Sequence, residues 1–538
     1  MLDNTLRVRF APSPTGKVHI GNIRTAIFNW LTARHNEGEF LIRVEDTDIE
    51  RSTQDAIDKL FECLEWLGLD FDSTPIYQTA NADKHIQAAK MLLEENKAYY
   101  PEAKTPGESL PAIFRIPWDS DNIPAVKISG ITELKIHPNE TVKISHAGIS
   151  YAQVSKKGKP VPTSACLAGF HKLKILDDNN NILFNIEENI ESILKSKEIF
   201  KINNGSKFIF ERRTVEFQDK VKGILTKPID SIKDFVILRS DETPIFHIAN
   251  VIDDVEQQIS CIIRGDDHVE NTYRHIFLFN ALGYDIPSYA HLPMIVNASG
   301  KPYSKRDGDA FVGDFKLKGF LPEALFNYLA LLGWSSGDDR EKYSKDELAQ
   351  AFQLKRVLSS PARFDIKKLT NLNSKYIAEL ELIDFIERIL DFAEESEKTY
   401  VLDWNKADSK KFSLVANLMQ SRTKILQEVE LWSNFFKEDI NYDEKLFKKH
   451  ITNEFIALLP EIIDQFQNSD LFNAELTEPI LRKIEEKNNL KQGFLNRPLR
   501  IAITGLQSGP DLIETMNIIG KETVIKRLEK TIESSKNI

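Results

Sequence analysis

The sequence predicts an α/β protein in which a split Rossmann-type parallel sheet contains a mostly β insertion and precedes an all-α C-terminal region. This prediction rests on three observations. Strand-like and helix-like segments alternate over residues 1–100, which is typical of a parallel sheet covered by helices on both faces. Short segments with period-2 alternation follow from about residue 101, before strand–helix alternation returns. Beyond residue 322 almost every segment has the apolar spacing of a helix.

Length and composition indicate a multidomain globular protein. At 538 residues the chain is too long for one hydrophobic core. The changes in pattern divide it into segments 1–100, 101–215, 216–321, 322–379 and 380–538. No stretch approaches about 20 apolar residues, so we expect no membrane span. The formal net charge of −11 favours solubility, and it does not exclude RNA, which needs only a local basic face.

Cysteine use and the N-terminus both suggest the cytoplasm. Cys63, Cys166 and Cys261 lie far apart and form neither a CxxC pair nor a disulfide framework, which fits a reducing compartment. Arg7 and Arg9 lie inside the first strand-like segment rather than before an apolar run, so no signal peptide is expected. We therefore expect a cytoplasmic protein.

The first unit of the chain is a strand, a rigid loop and a helix. Residues 6–10 (LRVRF) predict the strand, the prolines and glycine after it end regular structure, and a helical period starts near Gly21. A helix that follows a parallel strand presents free N–H groups and a positive dipole end, which suit a phosphate. His19 can donate to a phosphate oxygen there, and Gly21 allows close approach of the backbone. Taken alone, the stretch is equally consistent with an ordinary strand-to-helix turn, because it lacks the common phosphate motifs.

A second stretch, SGKPYSKRDG at residues 299–308, is a glycine-bounded loop that carries three cations. Lys301, Lys305 and Arg306 surround the small hydroxyl of Ser304. A loop of this kind can move and bring its cations onto a polyphosphate.

These stretches together resemble a known family. HIGN at residues 19–22 is similar to the HIGH signature of class I aminoacyl-tRNA synthetases, and YSKR at 303–306 is similar to their KMSKS loop. The segments RFAPSPTGKVHIGN, LIRVEDTD, CIIRGDDH, KPYSKRDGDAFV and LNRPLRIAITG resemble the glutamyl-tRNA synthetase branch. Several separated motifs in the family's order carry this resemblance, which is close over 1–100 and about 216–380.

The resemblance implies a two-step reaction. ATP, with Mg²⁺, activates L-glutamate to glutamyl-adenylate, and the glutamyl group passes to the 3′ end of tRNA-Glu. Both steps build up charge that fixed cations and dipoles must meet. The family's catalytic positions correspond here to Lys305 and His19, and its ATP-binding positions to His19, Gly21, Asn22, Ser304, Lys305 and Arg306. Asn22 replaces the final histidine of the motif and cannot carry charge.

Selection of glutamate needs a cation for the side-chain carboxylate, and Arg264 and Arg9 are the candidates. Arg264 ends a strand, where open α/β sheets bind their ligands; the alternative is a salt bridge to Asp266 or Asp267. Glu45 also ends a strand and can bind the substrate ammonium group, or it is a structural carboxylate. The other substrate-contacting positions implied by the resemblance are Ala11, Ser13, Phe246 (commonly tyrosine in the family), Asn250 and His268.

The resemblance also gives the outer regions RNA-binding roles. It implies acceptor-end binding by 101–215, a stem-contact region at 322–379 and anticodon binding by 380–538. Arg497 and Arg500 are candidate tRNA contacts, or they lie on a solvated helix face. The insertion of the family often carries a cysteine zinc site, but Cys166 is alone and no histidine pair has ligand spacing, so we expect no zinc and no other bound structural metal.

Local patterns make further predictions about the outer regions. Residues 172–176 and 182–186 predict one hairpin, and 199–202 with 207–210 predict a second across an Asn-Asn-Gly turn that needs positive φ. In the C-terminal region, prolines are expected to divide the bundle into short helices at positions 460, 479, 498 and 510.

Three rival functions remain open from the sequence. A glutaminyl enzyme would share the chemistry, but that branch resembles β-barrels where this chain reads helical. A tRNA-independent adenylate-forming nucleotidyltransferase would have no use for residues 330–538. A non-catalytic RNA-binding paralogue would not need Lys305, His19 and Arg264 together. The family is commonly monomeric, so a monomer is expected.

Overall fold

The computed structural model describes residues 5–14, 16–48, 51–103, 105–304, 306–469 and 472–536. Its internal contacts divide the chain into two units. The first, called here the sheet unit, comprises residues 1–312 and 326–364, and the second, the helical unit, comprises 313–325 and 365–538.

The sheet unit begins with strand–helix alternation, as predicted. The elements are β1 (Arg7–Phe10), α1 (Ile20–His35), β2 (Glu39–Val44), α2 (Gln54–Trp66), β3 (Ile76–Tyr77) and α3 (Ala82–Glu94). Strand β2 pairs in parallel with both β1 and β3. Thr53 caps α2 by accepting a hydrogen bond from the Ala56 N–H, which satisfies one of the free donors of the first turn. The carboxyl ends of β1 and β2 therefore meet at one edge.

The middle of the sheet unit is mostly β, as predicted for the insertion. The elements are β4 (Ala98–Tyr99), β5 (Ala112–Phe114), β6 (Val126–Lys135), β7 (Val142–Ser145), β8 (Gly148–Val154), β9 (Pro160–Ala165), β10 (His171–Leu176), β11 (Ile182–Asn185), α4 (Ile190–Leu194), β12 (Phe200–Ile202), β13 (Lys207–Asp219) and β14 (Gly223–Pro228). One sheet has the order β12-β7-β8-β9, and β13 pairs with β6, β10 and β14. Alternate residues of β13 enter the core of this region, where Phe208 is fully buried.

One of the two predicted hairpins is wrong. Strands β10 and β11 pair antiparallel as predicted. Strand β12, however, pairs with β7, and β13 pairs with β10 and β6. The turn between β12 and β13 has the expected positive φ, at Asn204 (59°), but it passes the chain from one sheet to another. The prediction of a turn with positive φ is thus confirmed, and the predicted strand pairing is wrong. Which strands pair depends on their buried faces, which a short sequence window does not show.

The sheet unit then returns to α/β structure. The elements are β15 (Phe235–Leu238), α5 (Phe246–Glu256), β16 (Cys261–Gly265), α6 (Val269–Leu282), β17 (Ser288–Leu292) and β18 (Ile295–Val296). Strand β17 pairs in parallel with β16 and with the end of β13. Pro293, which has no N–H to donate, lies between β17 and β18. Strand β15 pairs antiparallel with β5 rather than joining the parallel strands.

The two halves of the parallel structure are joined near the start of β1. The Ser260 N–H donates to the Arg7 carbonyl oxygen at 3.1 Å, and Asn29 of α1 donates to the Ile263 carbonyl oxygen of β16. These contacts place β16 beside β1. The carboxyl ends of β1, β2, β16 and β17 thus lie at one edge of the structure, where an open α/β sheet binds its ligand.

The remaining elements are mostly helical. They are α7 (Val312–Leu317), α8 (Pro322–Leu331), α9 (Lys345–Ala351), β19 (Ala362–Arg363), α10 (Ile366–Ala378), α11 (Leu382–Glu395), α12 (Thr399–Ala407), α13 (Ser409–Gln420), α14 (Ser433–Phe436), α15 (Glu444–His450), α16 (Asn453–Gln467), α17 (Ala474–Lys487), α18 (Asn496–Thr504), α19 (Leu512–Ile519) and α20 (Lys521–Ser535). The helical unit has a continuous apolar core around the buried Trp432. None of the described helices is long and apolar enough to cross a membrane.

The prediction that prolines divide the C-terminal helices is wrong at two positions. Pro460 lies inside α16 and Pro479 inside α17, and both helices continue through them. An internal proline removes one backbone hydrogen bond and crowds the preceding turn. The buried apolar faces of α16 and α17 offset that cost, which the proline pattern alone does not reveal. Pro498 lies in the first turn of α18, where a missing N–H costs little, and Pro510 precedes α19.

Candidate active site

A cavity of about 440 Å³ lies at the carboxyl ends of β1, β2 and β16. The loop after β1, the start of α1, α5 and the loop after β16 complete its wall. The predicted site residues that line it are Arg9, Ala11, Ser13, His19, Gly21, Asn22, Glu45, Phe246, Asn250, Arg264 and His268. Ser304 and Arg306 are not part of its lining, and Lys305 lies outside the described residues. Residues predicted from separate motifs are therefore brought to one place.

Arg264 is a buried cation held by neutral groups. Its side chain is 6% exposed. Its Nη2 donates to Thr272 Oγ1 at 2.7 Å and to the His268 carbonyl oxygen at 3.4 Å, and its Nε lies 3.4 Å from His291 Nε2. None of the described carboxylates forms an ion pair with it. Burial lowers its pKa to about 10, so it remains charged at neutral pH.

The alternative considered for Arg264, a salt bridge to a following aspartate, is not found among the described residues. Asp266 instead pairs with Lys222 at 3.0 Å, and Asp267 is exposed. An unpaired charge inside a protein is costly unless a ligand or a polar network compensates it. Arg264 therefore offers an anionic ligand a strong binding partner.

Arg9 differs from Arg264 because it already has an internal counter-ion. Its Nε donates to Asp254 Oδ1 at 2.9 Å, and both side chains are buried. Arg43, which is fully buried, also pairs with Asp254, at 2.5 Å, and reaches Glu45 at 3.5 Å. The charge of Arg9 is thus shared with a buried ionic cluster, so Arg9 is a weaker candidate than Arg264 for holding a substrate carboxylate.

Glu45 and Asn250 form an acceptor pair in the cavity wall. Glu45 Oε1 accepts from Asn250 Nδ2 at 2.7 Å. The other end of the amide, Asn250 Oδ1, is buried and has no hydrogen-bond partner among the described residues. Burial raises the pKa of Glu45, while Arg43 and Arg9 act against that rise. The two groups can therefore accept hydrogen bonds from an ammonium group.

Phe246, in the cavity wall, contacts a group of histidines. Its ring lies 5.9 Å from the ring of His268 and 5.6 Å from that of His275. His275 is fully buried and 3.2 Å from His247, and burial lowers the pKa of both, that of His247 to about 4. His247 and His275 are therefore neutral at pH 7 and add no second positive charge that could bind an anion in place of Arg264.

The start of α1 differs from the prediction of free N–H groups. The Ile20 N–H donates to the Ala310 carbonyl oxygen, and those of Asn22 and Ile23 donate to the carbonyl oxygen of His19. The Gly21 N–H donates to His19 Nδ1 at 3.0 Å. The first turn is therefore already paired, and side chains and the helix dipole, rather than free N–H groups, are what it offers an anion.

The same contacts fix the state of His19. Because its Nδ1 accepts from Gly21, the neutral imidazole carries its proton on Nε2. Burial lowers the pKa of His19, and a hydrogen bond with the backbone of Tyr303 opposes that effect. His19 is thus a neutral imidazole in the cavity wall, and its Nε2–H is directed to the backbone of Tyr303.

The loop at residues 299–308, called here the lysine loop, is anchored near His19 on both sides. The Tyr303 N–H donates to the Ile295 carbonyl oxygen, and the Val312 N–H donates to that of Val18. Asp307 accepts from the N–H and the hydroxyl of Ser304, both at 2.9 Å. Ser304 therefore has a structural partner within the loop, and Arg306 is exposed.

Arg24 is a cavity residue that the sequence reasoning missed. It lies on α1, is 2% exposed, and its Nε and Nη2 have no hydrogen-bond partner among the described residues. Burial lowers its pKa to about 10, and the charge of Asp266 opposes that effect. Its position within the helical period of α1 indicated only a surface or core residue. Like Arg264, it is a buried cation available to an anionic ligand.

The two candidate tRNA contacts lie on α18 in the helical unit. Arg497 is exposed, Arg500 is half-buried with Nη1 unpartnered among the described residues, and both line a depression of about 530 Å³. Lys449 at the end of α15 and the ring of Phe494 also line it. Cations beside an aromatic ring suit a nucleotide, because phosphates pair with the cations and bases stack on the ring.

The described residues include no group of three or more His, Cys, Asp or Glu side chains that could hold a metal ion. Whether the protein carries zinc is therefore still a prediction. Mg²⁺ usually binds through substrate phosphates and water with one or two carboxylates, and the cavity lining contains the carboxylates of Glu45 and Asp267.

Comparison with known proteins gives the class of the chain. The family model "tRNA synthetases class I (E and Q), catalytic domain" matches residues 5–113 and 190–371, and the model "Anticodon binding domain" matches residues 384–532. The part of the insertion at 114–189 lies outside both. The split α/β sheet with its edge cavity and the helical region after it are thus those of a class I aminoacyl-tRNA synthetase.

Full-length relatives narrow this class. The chain is 33% identical over 531 residues to glutamate–tRNA ligase 2 of Thermoanaerobacter pseudethanolicus, covering 98% of each chain. It is 32% identical over 532 residues to the glutamate–tRNA ligase of Francisella philomiragia, covering 98% of this chain and 99% of that protein. A solved glutamate–tRNA ligase from Elizabethkingia meningosepticum, in complex with its amino acid, has a TM-score of 0.69 and 25% identity over 99% of this chain and 100% of that one. The chain belongs to the glutamate–tRNA ligase family, which confirms the resemblance drawn from the motifs.

Proposed function

We propose that this enzyme activates L-glutamate with ATP to glutamyl-adenylate and transfers the glutamyl group to the 3′ end of tRNA-Glu, as a cytoplasmic monomer. The observation that carries the proposal is Arg264, a buried guanidinium in the cavity with only neutral partners. A carboxylate binds such a group bidentately. The neutral amide of glutamine would leave it unpaired, at a cost of about 3–5 kcal/mol, so the site favours glutamate.

The other substrate groups have matching partners in the same cavity. Glu45 and Asn250 Oδ1 accept from the ammonium group, which leaves the α-carboxylate directed toward the start of α1. There Arg24 supplies positive charge to the phosphates of ATP, to which Mg²⁺ binds, and His19 donates to them from Nε2 in exchange for its hydrogen bond with the Tyr303 backbone. Lys305, with Ser304 and Arg306 beside it in sequence, meets the charge that develops when pyrophosphate leaves. The reaction needs no protein nucleophile.

Parallel charging assays test this proposal. Purified protein is incubated with ATP, Mg²⁺ and unfractionated tRNA, with radiolabelled glutamate in one series and glutamine in the other. We expect acid-precipitable label from glutamate and none above background from glutamine. Fractionated tRNA-Glu and tRNA-Gln then show which acceptor is used. Charging with label from glutamine would support a glutaminyl enzyme. Formation of adenylate without any charged tRNA would support a tRNA-independent nucleotidyltransferase.

We further propose that the helical region at 380–538 binds the anticodon end of tRNA, with Arg497 and Arg500 among its contacts. The depression on α18 combines Lys449 and these two arginines with the ring of Phe494. Phosphate contacts of this kind position the RNA, and stacking or base-edge contacts specify it. By the resemblance, acceptor-end binding is assigned to the insertion and stem contacts to 322–379.

Replacing Arg497 and Arg500 with alanine is expected to raise the KM for tRNA about tenfold or more, because each lost phosphate contact weakens binding and lowers the salt slope by about 1. Steady-state charging at several salt concentrations measures both quantities. Lys526→Ala, which removes an exposed cation on α20 outside the depression, is the matched control. An unchanged KM and salt slope in the double variant would remove these arginines from the RNA interface.

A further inference from the structure

A chain of hydrogen bonds runs from Arg264 away from the cavity into the core of the sheet unit. Thr272 Oγ1 lies 2.7 Å from Arg264 Nη2 and 2.9 Å from His291 Nε2. His291 Nδ1 lies 2.6 Å from Asp219 Oδ2. Thr272 and His291 are fully buried, and Asp219 is 1% exposed. Arg264 is therefore supported by a polar chain that solvent does not reach.

The register of the parallel strands creates this chain. Arg264 of β16 and His291 of β17 are direct neighbours across the pair, so their side chains lie on the same face. Asp219 is the last residue of β13, which pairs with β17 on its other side. Thr272 reaches the same point from the first turn of α6. The four residues come from separate stretches, so no short motif marks them.

The hydrogen bonds of Asp219 determine which nitrogen of His291 carries the proton. Asp219 accepts from the N–H groups of Val221, Lys222 and His291, so it is surrounded by donors. Burial alone would raise its pKa, but the hydrogen bonds from His291 and the backbone lower it, which leaves an ionised acceptor. His291 Nδ1 must then carry a proton and donate it.

The proton order continues from His291 to the cavity. Burial lowers the pKa of His291 below its ordinary value, so the imidazole is neutral and its Nε2 holds a lone pair. The hydroxyl of Thr272 donates to that lone pair in preference to the more distant His268 carbonyl oxygen, at 3.3 Å. The oxygen of Thr272 is then an acceptor for Arg264 Nη2, and Arg264 Nε also faces His291 Nε2. Along the chain, Asp219 accepts from His291, His291 accepts from Thr272, and Thr272 accepts from the Arg264 guanidinium.

We propose that Thr272, His291 and Asp219 are positioning residues that hold Arg264 in place for the substrate carboxylate without neutralising it. A carboxylate in direct contact would fix the guanidinium equally well, but it would cancel the charge that the ligand needs. Here the negative charge of Asp219 lies two hydrogen-bonded groups away, and the groups that touch Arg264 are neutral. The inference rests on the proposed use of glutamate and extends it to the residues that set the side-chain selectivity.

The Thr272→Val variant tests the chain, because valine keeps the shape of threonine and removes the hydroxyl. We expect the KM for glutamate to rise about tenfold or more, as for a lost hydrogen bond to a charged group, while the Kd for ATP changes less than twofold. Thr272→Ser retains the hydroxyl and should restore the KM to within threefold of wild type. Thr32→Val is the matched control, because the buried Thr32 hydroxyl donates only to the Phe28 carbonyl oxygen of its own helix.

Two further measurements keep the proposal falsifiable. If Thr272→Val does not fold, His291→Gln should give the same selective rise, because it loses the bond to Asp219. Histidine ¹⁵N NMR of the wild type should show His291 as the neutral Nδ1–H tautomer, a readout that does not depend on activity. A glutamate KM within threefold in the valine variant, or an Nε2–H tautomer, would overturn the proposal. Wild-type protein that fails to charge glutamate would instead refute the proposed function and leave the tautomer result standing.

Discussion

Replacing Lys305 with alanine is expected to lower glutamyl-adenylate formation by about two to three orders of magnitude and to leave the fold intact. In the proposed reaction, negative charge builds up on the α-phosphate and on the departing pyrophosphate. A preorganised cation that meets this charge contributes about 3–4 kcal/mol to the transition state. The proposed phosphate end of the cavity has a neutral His19, an already paired helix start and one buried cation, Arg24, so Lys305 is proposed to add the second positive charge.

Pyrophosphate exchange measures this step, and it is performed with tRNA present because members of this family can require tRNA to activate glutamate. Lys59→Ala is the matched control: Lys59 is an exposed lysine of α2 that does not line the cavity, and we expect its loss to change the rate less than threefold. The unfolding temperature of both variants should equal that of the wild type. If the Lys305 variant exchanges pyrophosphate within threefold of wild type, the charge-stabilising role belongs to another residue, with Arg24 as the first candidate.

Much of the fold was predictable because it depends on local patterns. The apolar residues recur at helical spacing within the 16-residue helix α1, and strands and helices alternate around it. This pattern is typical of a parallel sheet covered by helices. The failures have a common cause. The pairing of β12 with β7, the helices that continue through Pro460 and Pro479, and the paired N–H groups at Ile20 all depend on residues distant in the chain. Propensity describes a residue's own preference, while these outcomes depend on what packs against it.

The candidate site divides in the same way. Residues at the carboxyl ends of strands, such as Arg264 and Glu45, could be found because parallel sheets place ligands at that edge. Arg24 could not, because a single arginine in an apolar helix gives no sign of whether it has a partner. Thr272 and His291 could not be found either. They contact Arg264 only because of the register between β16 and β17 and the position of the first turn of α6. Sequence motifs thus indicate groups that touch a substrate better than groups that position them.

Substitution of Arg264 is expected to separate function from stability. In Arg264→Met, an unbranched apolar side chain replaces the guanidinium, and kcat/KM for glutamate should fall by about two to four orders of magnitude, the equivalent of the 3–5 kcal/mol at stake when one member of a buried charge pair is removed. The Kd for ATP should change less than threefold, since the proposal assigns Arg264 to the side-chain carboxylate of glutamate and not to ATP. Charging kinetics give the first quantity, and direct binding of ATP gives the second.

The unfolding temperature of Arg264→Met distinguishes a substrate-binding role of Arg264 from a structural one. In the unliganded protein Arg264 is a buried charge with no carboxylate partner among the described residues, so its removal relieves a desolvation cost. We therefore expect Arg264→Met to unfold at the same temperature as the wild type or at a higher one. Arg264→Lys, which keeps the charge but loses the planar fork, should retain an intermediate glutamate kcat/KM. A variant that loses several degrees of stability while glutamate and ATP use fall together would show that Arg264 is a structural residue and that the carboxylate of the substrate binds elsewhere, with Arg9 as the remaining candidate.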